Sequence, residues 1–551
     1  GRFGNLLVIQ RNTSEHGARS LITPRKTFNC AIKAKESKTQ HNNKAEINDG
    51  PQAVRGGDAP LVEALKTSAG QNVAAFHFPG HNRGRAAPPL LAELVGMDPF
   101  KHDLPELPEL DNLFAPEGAI ADAQKRAAYV FGADATWFLV GGSTCGIQAA
   151  VMTTCSPGEI LILPRNSHMS VISAMVLAGV LPKYILPEYD PVWDITFGIH
   201  AFQVKEALDD LRDEGKRAAA VLITSPTYFG VCSDLREIAD VCHHYGVPLI
   251  VDEAHGAHFK FHSDFPNTAL EQGADIVVQS THKVLCSLTQ SAMIHMQGDM
   301  VNRERLCQCL QILQSSSPSY LLLASLDATR AYICKCTGFP YSSNSLFKRA
   351  IDLANEAQYA IQQIHGLSVL HSTNPSGMMV LDPLRITVGL WEIGLSGYEA
   401  DDILRIEHGV IAELPSLHTL MFAVNLGTDS EHVHRLVGAL LTLSIRSVSK
   451  TVSGNMFLSK LHKDGPFATI KTKLSPREAF FARKERVEID HALGQICGEL
   501  ICPYPPGIPI LVPGEVISNK ALMYLKKVIY AGAMLSGASD LSLSSIIVCK
   551  A

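Results

Sequence analysis

A lysine that follows a short apolar run is the residue of this sequence whose type and position point most clearly to catalysis. Residues 274–278 have the pattern of a buried strand, and Ser280-Thr281-His282-Lys283 follow at once. A lysine in a desolvated pocket reaches its neutral amine form and can form a Schiff base with a carbonyl group. Most lysines lie on exposed loops instead. The neighbouring Ser280 and His282, which can bind phosphate, favour a catalytic role for Lys283.

A carboxylate occupies the corresponding position on another predicted strand. Residues 247–251 read as a strand, and Asp252 follows them. A buried carboxylate at such a place can keep a pyridine nitrogen protonated. The competing interpretation is a metal site built from Asp252, Glu253, His255 and His258. Side chains at a strand end alternate in direction, so these four would not converge, and we expect no metal.

A glycine-rich turn supplies a third anchor. Residues 137–140 read as a strand, and Gly141-Gly142-Ser143-Thr144 follow before a helical run. Free N–H groups at a helix N-terminus, together with hydroxyls, form a phosphate cup. The turn matches neither a Walker loop nor G-x-G-x-x-G, and alone it is a weak signal. Together, Lys283, Asp252 and the cup at Ser143 and Thr144 are the three anchors that pyridoxal phosphate (PLP) requires.

An α/β sheet is needed to bring these residues together. Strand and helix patterns alternate between residues 218 and 283, which predicts a mainly parallel sheet. Ligands of such sheets bind beyond the carboxyl ends of the strands. Asp252, Lys283 and Thr227 all fall at predicted ends of this kind. We therefore expect these three residues to share one site.

The pattern of elements divides the chain into five segments. Residues 384–393 are strand-like, and 399–414 and 430–446 look helical, which predicts a small α+β domain. A Pro-rich stretch and a helical pattern over 519–534 predict another α+β unit. The predicted segments are a leader (1–50), an N-terminal arm (51–75), a large PLP-binding domain (76–370), a small α+β domain (371–455) and a C-terminal α+β domain (456–551).

The composition argues against several classes of function. A net charge of −6 and a pI near 6.4 provide no basic field for nucleic acid. The apolar runs are far shorter than the ~20 residues needed to cross a bilayer. Thirteen cysteines without framework spacing indicate reduced thiols. We expect a small-molecule substrate, with no nucleic-acid or membrane partner.

The first 45 residues differ in charge from the rest. They contain nine Lys and Arg residues against only Glu15 and Glu36, many Ser and Thr, and no apolar core of a secretory signal. This pattern is typical of an organelle transit peptide, and we favour a plastid over a mitochondrion. The alternative is an ordinary disordered basic tail on a cytoplasmic protein.

Seven ordered motifs carry a family resemblance from about Pro60 onward. They are Phe76-His77-Phe78-Pro79-Gly80-His81, Gly142-Ser143-Thr144, Pro164-Arg165-Asn166-Ser167-His168, Ser225-Pro226-Thr227-Tyr228, Asp252-Glu253-Ala254-His255-Gly256-Ala257-His258, Ser280-Thr281-His282-Lys283, and the Pro-rich run 503–509 with Pro513-Gly514-Glu515. The chain resembles the Orn/Lys/Arg decarboxylase family, the bacterial-type enzymes that decarboxylate basic amino acids, and looks like a plant, plastid-targeted member. The resemblance implies a fold type I, aspartate-aminotransferase-like large domain and a PLP cofactor.

The resemblance also implies roles for individual residues. Lys283 would carry PLP as a Schiff base, Asp252 would pair with the pyridinium nitrogen, and His168 would stack on the ring. His255 is a further candidate catalytic residue. Thr227 would lie near the phenolic oxygen and Ala254 behind the ring. The phosphate would be held by Ser143, Thr144, Ser280 and His282, with Ser316 reaching the phosphate of a neighbouring subunit.

Substrate and assembly are less well determined. Lysine, ornithine and arginine all bring a distal cation that needs a carboxylate partner, and Glu515 is our candidate, although it could instead cap the helix that starts near Asn519. The family commonly has lysine where this chain has Asn82 and Met169, which bears on substrate preference. The large members carry an N-terminal wing domain that builds decamers. We find no room for one here and expect a homodimer, or a small assembly of dimers, with active sites at the subunit interface.

Two other functions remain open from the sequence. An aminotransferase or lyase of the same fold type would share Lys283 and Asp252, and an aminotransferase would need an arginine such as Arg385 for the substrate carboxylate. A non-catalytic regulatory homologue is the other alternative. The intact set of cofactor residues argues against it.

Overall fold

A computed structural model describes residues 57–337, 345–371, 380–448, 465–467, 470–504 and 507–550. The predicted leader (1–50) and the first residues of the predicted arm lie outside these ranges. No helix in the described ranges is long and apolar enough to span a membrane. The same residues contain no group of three or more metal-binding side chains.

A seven-stranded sheet forms the centre of the large domain. The first ten strands are β1 (Ala135–Leu139), β2 (Ile160–Pro164), β3 (Leu181–Ile185), β4 (Tyr189–Asp190), β5 (Ile195–Thr196), β6 (Ala218–Thr224), β7 (Val231–Cys232), β8 (Leu249–Asp252), β9 (Ile276–Gln279) and β10 (Ala292–Met296). The sheet order is β1-β10-β9-β8-β6-β2-β3. Neighbours from β9 to β3 pair in parallel, and β10 is antiparallel to both β9 and β1. The prediction of a mainly parallel sheet is confirmed.

The region around this sheet also contains helices. They are α1 (Pro60–Ala69), α2 (Pro89–Val95), α3 (Asp98–His102), α4 (Ala119–Phe131), α5 (Gly142–Thr154), α6 (Met169–Ala178), α7 (Ala201–Asp213), α8 (Leu235–His244), α9 (Thr281–Val284), α10 (Arg303–Leu313), α11 (Tyr320–Thr337) and α12 (Ser345–Gln362). Leu222 and Val278 point into the core with α5, α6 and α10, whereas Val221 and Val277 point to the α7 and α8 side. Burial on both faces explains why these strands read as continuous apolar runs.

A second, antiparallel sheet follows the large domain. Its region contains β11 (Ser368–Val369), β12 (Val380–Leu381), β13 (Arg385–Gly389), β14 (Leu414–Pro415) and β15 (Thr419–Ala423), with α13 (Gly397–His408) and α14 (Ser430–Val448). The order is β11-β13-β15-β14, while β12 pairs with β7 of the large domain. The predicted helix over 399–414 ends earlier, at His408, because Gly409 adopts a left-handed φ of 63° and β14 begins soon after.

The last region is also α+β. It contains α15 (Pro476–Phe481), β16 (Lys484–Glu488), β17 (Cys502–Tyr504), α16 (Asn519–Tyr530), β18 (Met534–Ser536) and β19 (Ser545–Cys549). Strand β16 pairs with β19, and β17 pairs with β18. The helix predicted over 519–534 stops at Tyr530, two residues before Gly532 with its φ of 106°.

Candidate active site

Lys283 lies on the short helix α9, directly beyond the buried strand β9. The Lys283 N–H donates to the Ser280 carbonyl at 3.1 Å, and the fully buried Thr281 side chain anchors the turn in the core. The Lys283 Nζ atom lies 3.2 Å from His255 Nε2. Burial lowers the pKa of Lys283, although the negative charges of Asp252 and Glu413 oppose the shift. The shift is in the direction of the neutral amine that Schiff-base formation needs.

Asp252 ends the neighbouring parallel strand, β8. Asp252 pairs in register with Val278 of β9, so the carboxyl ends of the two strands lie side by side. The Asp252 carboxylate is buried, and its Oδ1 accepts a hydrogen bond from the Ala254 N–H at 3.2 Å. Burial raises the pKa of Asp252, against the opposing charge of Lys283. Because burial disfavours the charged form of Asp252, a positive charge placed next to it would stabilise the carboxylate.

The phosphate cup forms where β1 meets α5. Gly142 begins the helix with a φ of 73°, a conformation that favours glycine. A Cβ on Gly146 would lie 2.7 Å from Leu139 and Val278 side-chain atoms, so this glycine lets α5 pack closely on the sheet. The Ser280 hydroxyl donates to the Ser143 hydroxyl at 2.7 Å, which joins the predicted phosphate residues of two different turns.

The remaining predicted phosphate residues lie on the same turns. Thr144 is exposed at the first turn of α5. The ring of His282 is fixed by a 2.8 Å hydrogen bond between its Nδ1 and the Ser291 carbonyl. Ser316 is exposed on the connection between α10 and α11. Its predicted contact with a neighbouring subunit stays a prediction.

His168 caps the N-terminus of α6. Its Nδ1 accepts from the Ser170 N–H at 3.2 Å, which fixes the orientation of the ring. Burial, helped by the charge of Lys283, lowers the pKa of His168 to about 4. The Met169 N–H donates to the Gly507 carbonyl at 3.1 Å, so the C-terminal region contacts the residue after this histidine. His168 is therefore a neutral, oriented ring at neutral pH.

Thr227 and Tyr228 follow the carboxyl end of β6, and Ala254 follows that of β8. Thr227 is buried, and its Oγ1 accepts from the Val231 N–H at 3.2 Å. Ala254 is also buried, two residues beyond Asp252. Tyr228 was not among the predicted site residues, although it belongs to the motif at 225–228. Its ring centroid lies 4.8 Å from that of His255 and 6.0 Å from the Lys283 Nζ.

A cavity of about 340 Å³ opens beside Lys283, with His255, Arg385 and Glu413 in its lining. This volume is near the lower end of the roughly 300–1,000 Å³ typical of small-molecule sites. From the sequence, Arg385 was a candidate only as the carboxylate-binding arginine of an aminotransferase, and Glu413 was not a candidate at all. Both come from the antiparallel sheet, and no local motif marks either one.

A chain of buried polar groups runs behind the cavity. Arg385 Nη2 lies 3.4 Å from His255 Nδ1, and Arg385 Nε lies 3.6 Å from Asp382 Oδ2. His258 Nε2 contacts the same carboxylate at 3.2 Å. Because a guanidinium can only donate, His255 Nδ1 is the acceptor and Nε2 carries the proton toward the Lys283 amine. Burial and the charges of Lys283 and Arg385 hold the pKa of His255 well below its ordinary value, in agreement with this neutral tautomer.

Glu515 requires a correction. Its two carboxylate oxygens accept from Arg165 Nε and Nη2, each at 2.8 Å, and Oε2 also accepts from the Val512 N–H at 3.1 Å. The carboxylate is buried and already paired with a cation, so the predicted contact with a substrate cation does not fit. The capping alternative is also wrong, because Ser518 caps α16 through the Ala521 N–H.

Comparison with known proteins identifies the family. Residues 59–432 match the model of the Orn/Lys/Arg decarboxylase major domain, and residues 459–539 match that of the Orn/Lys/Arg decarboxylase C-terminal domain. The chain belongs to the Orn/Lys/Arg decarboxylase family. It is a PLP-dependent amino-acid decarboxylase that acts on a basic amino acid. The family favours decarboxylation over the aminotransferase and regulatory alternatives.

Individual relatives extend this result. Arginine decarboxylases of Bacillus anthracis and Bacillus subtilis are 34% and 35% identical to the chain over 495 residues, covering 90% of the chain and 97% and 98% of the relatives. Lysine decarboxylase LdcA of Pseudomonas aeruginosa is 25% identical and covers 83% of the chain and 73% of that relative.

Solved structures confirm the fold type I architecture. Francisella novicida lysine decarboxylase LdcF matches with a TM-score of 0.75 and 22% identity, over 89% of this chain and 81% of the other. The constitutive lysine decarboxylase of E. coli matches with a TM-score of 0.76 and 20% identity, over 90% and 82%.

The described residues suit PLP. Asp252 is a buried carboxylate whose raised pKa would return toward normal against a protonated pyridine nitrogen. Lys283 has the lowered pKa of a Schiff-base lysine. The hydroxyls of Ser143 and Ser280 meet at the N-terminus of α5, where a phosphate would find N–H donors.

Proposed function

We propose that this chain is an arginine decarboxylase, which converts arginine to agmatine and CO₂ with PLP as its cofactor. The observation that carries the proposal is the juxtaposition of Lys283 and Asp252 at adjacent strand ends. Two relatives that match this chain over 97% and 98% of their own length, at 34% and 35% identity, are named arginine decarboxylases. The lysine decarboxylases among the relatives are more distant, at about a quarter identity.

Most of the predicted site residues would have a part in holding the cofactor. Lys283 would bind its carbonyl carbon, Asp252 its ring nitrogen, and His168 one face of its ring, with Ala254 on the other. Thr227 would lie near the phenolic oxygen. The phosphate would be bound by the hydroxyls and ring of Ser143, Thr144, Ser280 and His282. When bound, PLP supplies an electron sink for the charge left on the substrate Cα as CO₂ departs.

Side chains of the protein would assist the loss of CO₂ and the protonation that follows. Asp252 would hold a proton on the ring nitrogen of the bound cofactor, which would maintain the electron sink. The surrounding protein partly desolvates Lys283 and His168, which strengthens electrostatic interactions inside the site. After CO₂ departs, the substrate Cα needs a proton. The protonated form of Lys283 Nζ, which lies 3.2 Å from His255 Nε2, would be placed to supply it, with the neutral His255 ring orienting the lysine.

The assembly and location belong to the same proposal. We propose a homodimer in which Ser316 of one subunit contacts the phosphate bound by the other, supported by the exposure of Ser316 outside its own site. The basic leader at 1–50 is proposed to direct the protein to a plastid, on the basis of its composition. Light scattering would test the dimer, and a leader–reporter fusion that stays cytosolic would contradict the targeting.

One assay tests the proposed reaction. The protein, supplied with PLP, is given carboxyl-labelled arginine, lysine or ornithine, and the released CO₂ and the products are measured. We expect CO₂ and agmatine from arginine at the highest kcat/KM of the three. A preference for lysine or ornithine would overturn the arginine assignment. A 2-oxo acid without CO₂ would instead indicate an aminotransferase.

A further inference from the structure

Glu413 places a carboxylate in the lining of the cavity beside Lys283. It contributes to the same lining as Lys283, His255 and Arg385. Burial is the largest influence on two neighbouring groups: it lowers the pKa of Lys283, which the charge of Glu413 opposes, and it raises the pKa of Tyr228, to which that charge adds. Its carboxylate is therefore close enough to act electrostatically on the groups around the reacting atoms.

The backbone of Glu413 is held in the antiparallel sheet. The Glu413 N–H donates to the Met421 carbonyl at 3.0 Å, and Leu414 pairs with Met421 between β14 and β15. The side chain extends from this fixed point and is exposed to the cavity. Within the described ranges, no lysine, arginine or histidine forms an ion pair with it. A placed carboxylate without a protein cation is available to a cation of the ligand.

Other carboxylates close to the site already have partners. Glu515 is bound on both oxygens by Arg165. Asp382 lies against His258 and Arg385. Asp252 is deeply buried beneath Lys283, in the position that suits a ring nitrogen. Glu413 differs from all three because its charge faces an open cavity.

We propose that Glu413 binds the distal guanidinium of the substrate, and that it selects for a cationic side chain; the assignment rests on the proposed function. A carboxylate and a planar guanidinium can form two parallel charge-assisted hydrogen bonds. Arg385 provides the opposite charge in the same cavity, so the lining complements a molecule with an anionic end and a cationic end. This selection replaces the role predicted for Glu515.

The first experiment compares arginine with citrulline, which has nearly the same shape but a neutral urea in place of the guanidinium. Glu413→Gln should lower kcat/KM for arginine by at least about tenfold and leave the small activity on citrulline nearly unchanged. Glu431→Gln is the matched control, because Glu431 forms an exposed helix ion pair with Arg435. An arginine-to-citrulline ratio equal to that of wild type would overturn the proposal.

A binding measurement separates this proposal from the proposed function. Agmatine keeps the guanidinium, and its affinity for the PLP-loaded protein can be measured by calorimetry without turnover. Glu413→Gln should weaken agmatine binding by about tenfold, with the control unchanged. Equal affinity in Glu413→Gln and wild type would overturn the Glu413 assignment whether or not CO₂ is released. Weakened binding in the variant, with no CO₂ from the wild type, would support Glu413 and contradict only the decarboxylase reaction.

Discussion

Two ionic clusters in this protein, one around Lys283 and one around Arg165, differ in how their charges are compensated. Around Lys283, burial shifts the pKa of the lysine downward and that of Asp252 upward, so both shifts favour the neutral forms relative to the free groups. Around Arg165, the guanidinium is fully paired with Glu515, whose charge raises the pKa of Arg165 against the effect of burial. Asp252 and Glu515 are 4% and 3% exposed, so burial alone does not separate them.

The difference lies in the completeness of the hydrogen bonding. Arg165 also donates to the carbonyls of Pro509 and Ile510, at 2.6 and 3.2 Å, and its guanidinium lies 4.9 Å from the Phe467 ring. The cluster is closed, and it joins the end of β2 to the C-terminal region. The Lys283 cluster instead borders a cavity. A closed buried pair stabilises structure, whereas perturbed charges beside a cavity indicate chemistry.

Replacing Lys283 tests the open cluster most severely. Lys283→Ala removes the amine that would bind the cofactor, so CO₂ release should fall below detection and the visible absorbance of the lysine-linked cofactor should disappear. Lys205→Ala, at an exposed ion pair with Asp209, should behave as wild type. Normal turnover in Lys283→Ala would invalidate the entire site.

Replacing Asp252 should have a large but smaller effect. Asp252→Asn keeps the shape of the side chain and removes the charge that holds the ring nitrogen protonated, so kcat should fall at least about 100-fold, or ~2.7 kcal/mol in the barrier. PLP should still bind, as its absorbance would show. Asp210→Asn, at the exposed pair with Lys183, is the control. A kcat within about threefold of wild type would remove Asp252 from this role.

Replacing Glu515 should have the opposite consequence: it should lower stability and leave substrate binding nearly unchanged. Glu515→Gln leaves Arg165 buried without its counter-charge, which should cost roughly 3–5 kcal/mol of stability. Thermal unfolding should therefore shift to lower temperature, while KM of the remaining folded enzyme stays near that of wild type. Glu485→Gln, at the exposed pair with Lys550, should change Tm little. A raised KM with an unchanged Tm would restore Glu515 as a substrate residue.

The open cluster was largely predictable and the closed one was not. Lys283 and Asp252 follow continuous apolar runs, and parallel strands bring their carboxyl ends to one edge. Arg165 also belongs to a recognised motif, but its partner lies 350 residues away in sequence. Glu413 has no marker at all, since its place beside Lys283 depends on how the antiparallel sheet packs against the large domain. Sequence patterns predict local helices and strands, whereas contacts between residues far apart in the sequence require the three-dimensional structure.

The pH dependence of stability gives the smallest of the expected effects, and it tests whether His168 in the Lys283 cluster is neutral. The pKa of His168 is lowered from 6.5 to about 4 in the folded protein, first by burial and then by the charge of Lys283. The unfolded chain therefore binds this proton more readily, and the free energy of unfolding falls as pH drops from about 6.5 toward 4. At about 1.4 kcal/mol per pKa unit, His168 contributes at most about 3.5 kcal/mol to that loss.

His168→Gln should therefore flatten part of this decline. His255 and the buried His295, whose pKa is lowered to about 3, still titrate, so the decline persists with a smaller slope. Urea unfolding at several pH values between 7 and 4.5 would measure the slope for wild type and variant. His434→Gln is the control, because that exposed side chain lies near Glu356 at the surface. If His168→Gln and wild type lost stability in parallel, the pKa of His168 would be the same in the folded and unfolded states, and burial would not hold this ring neutral.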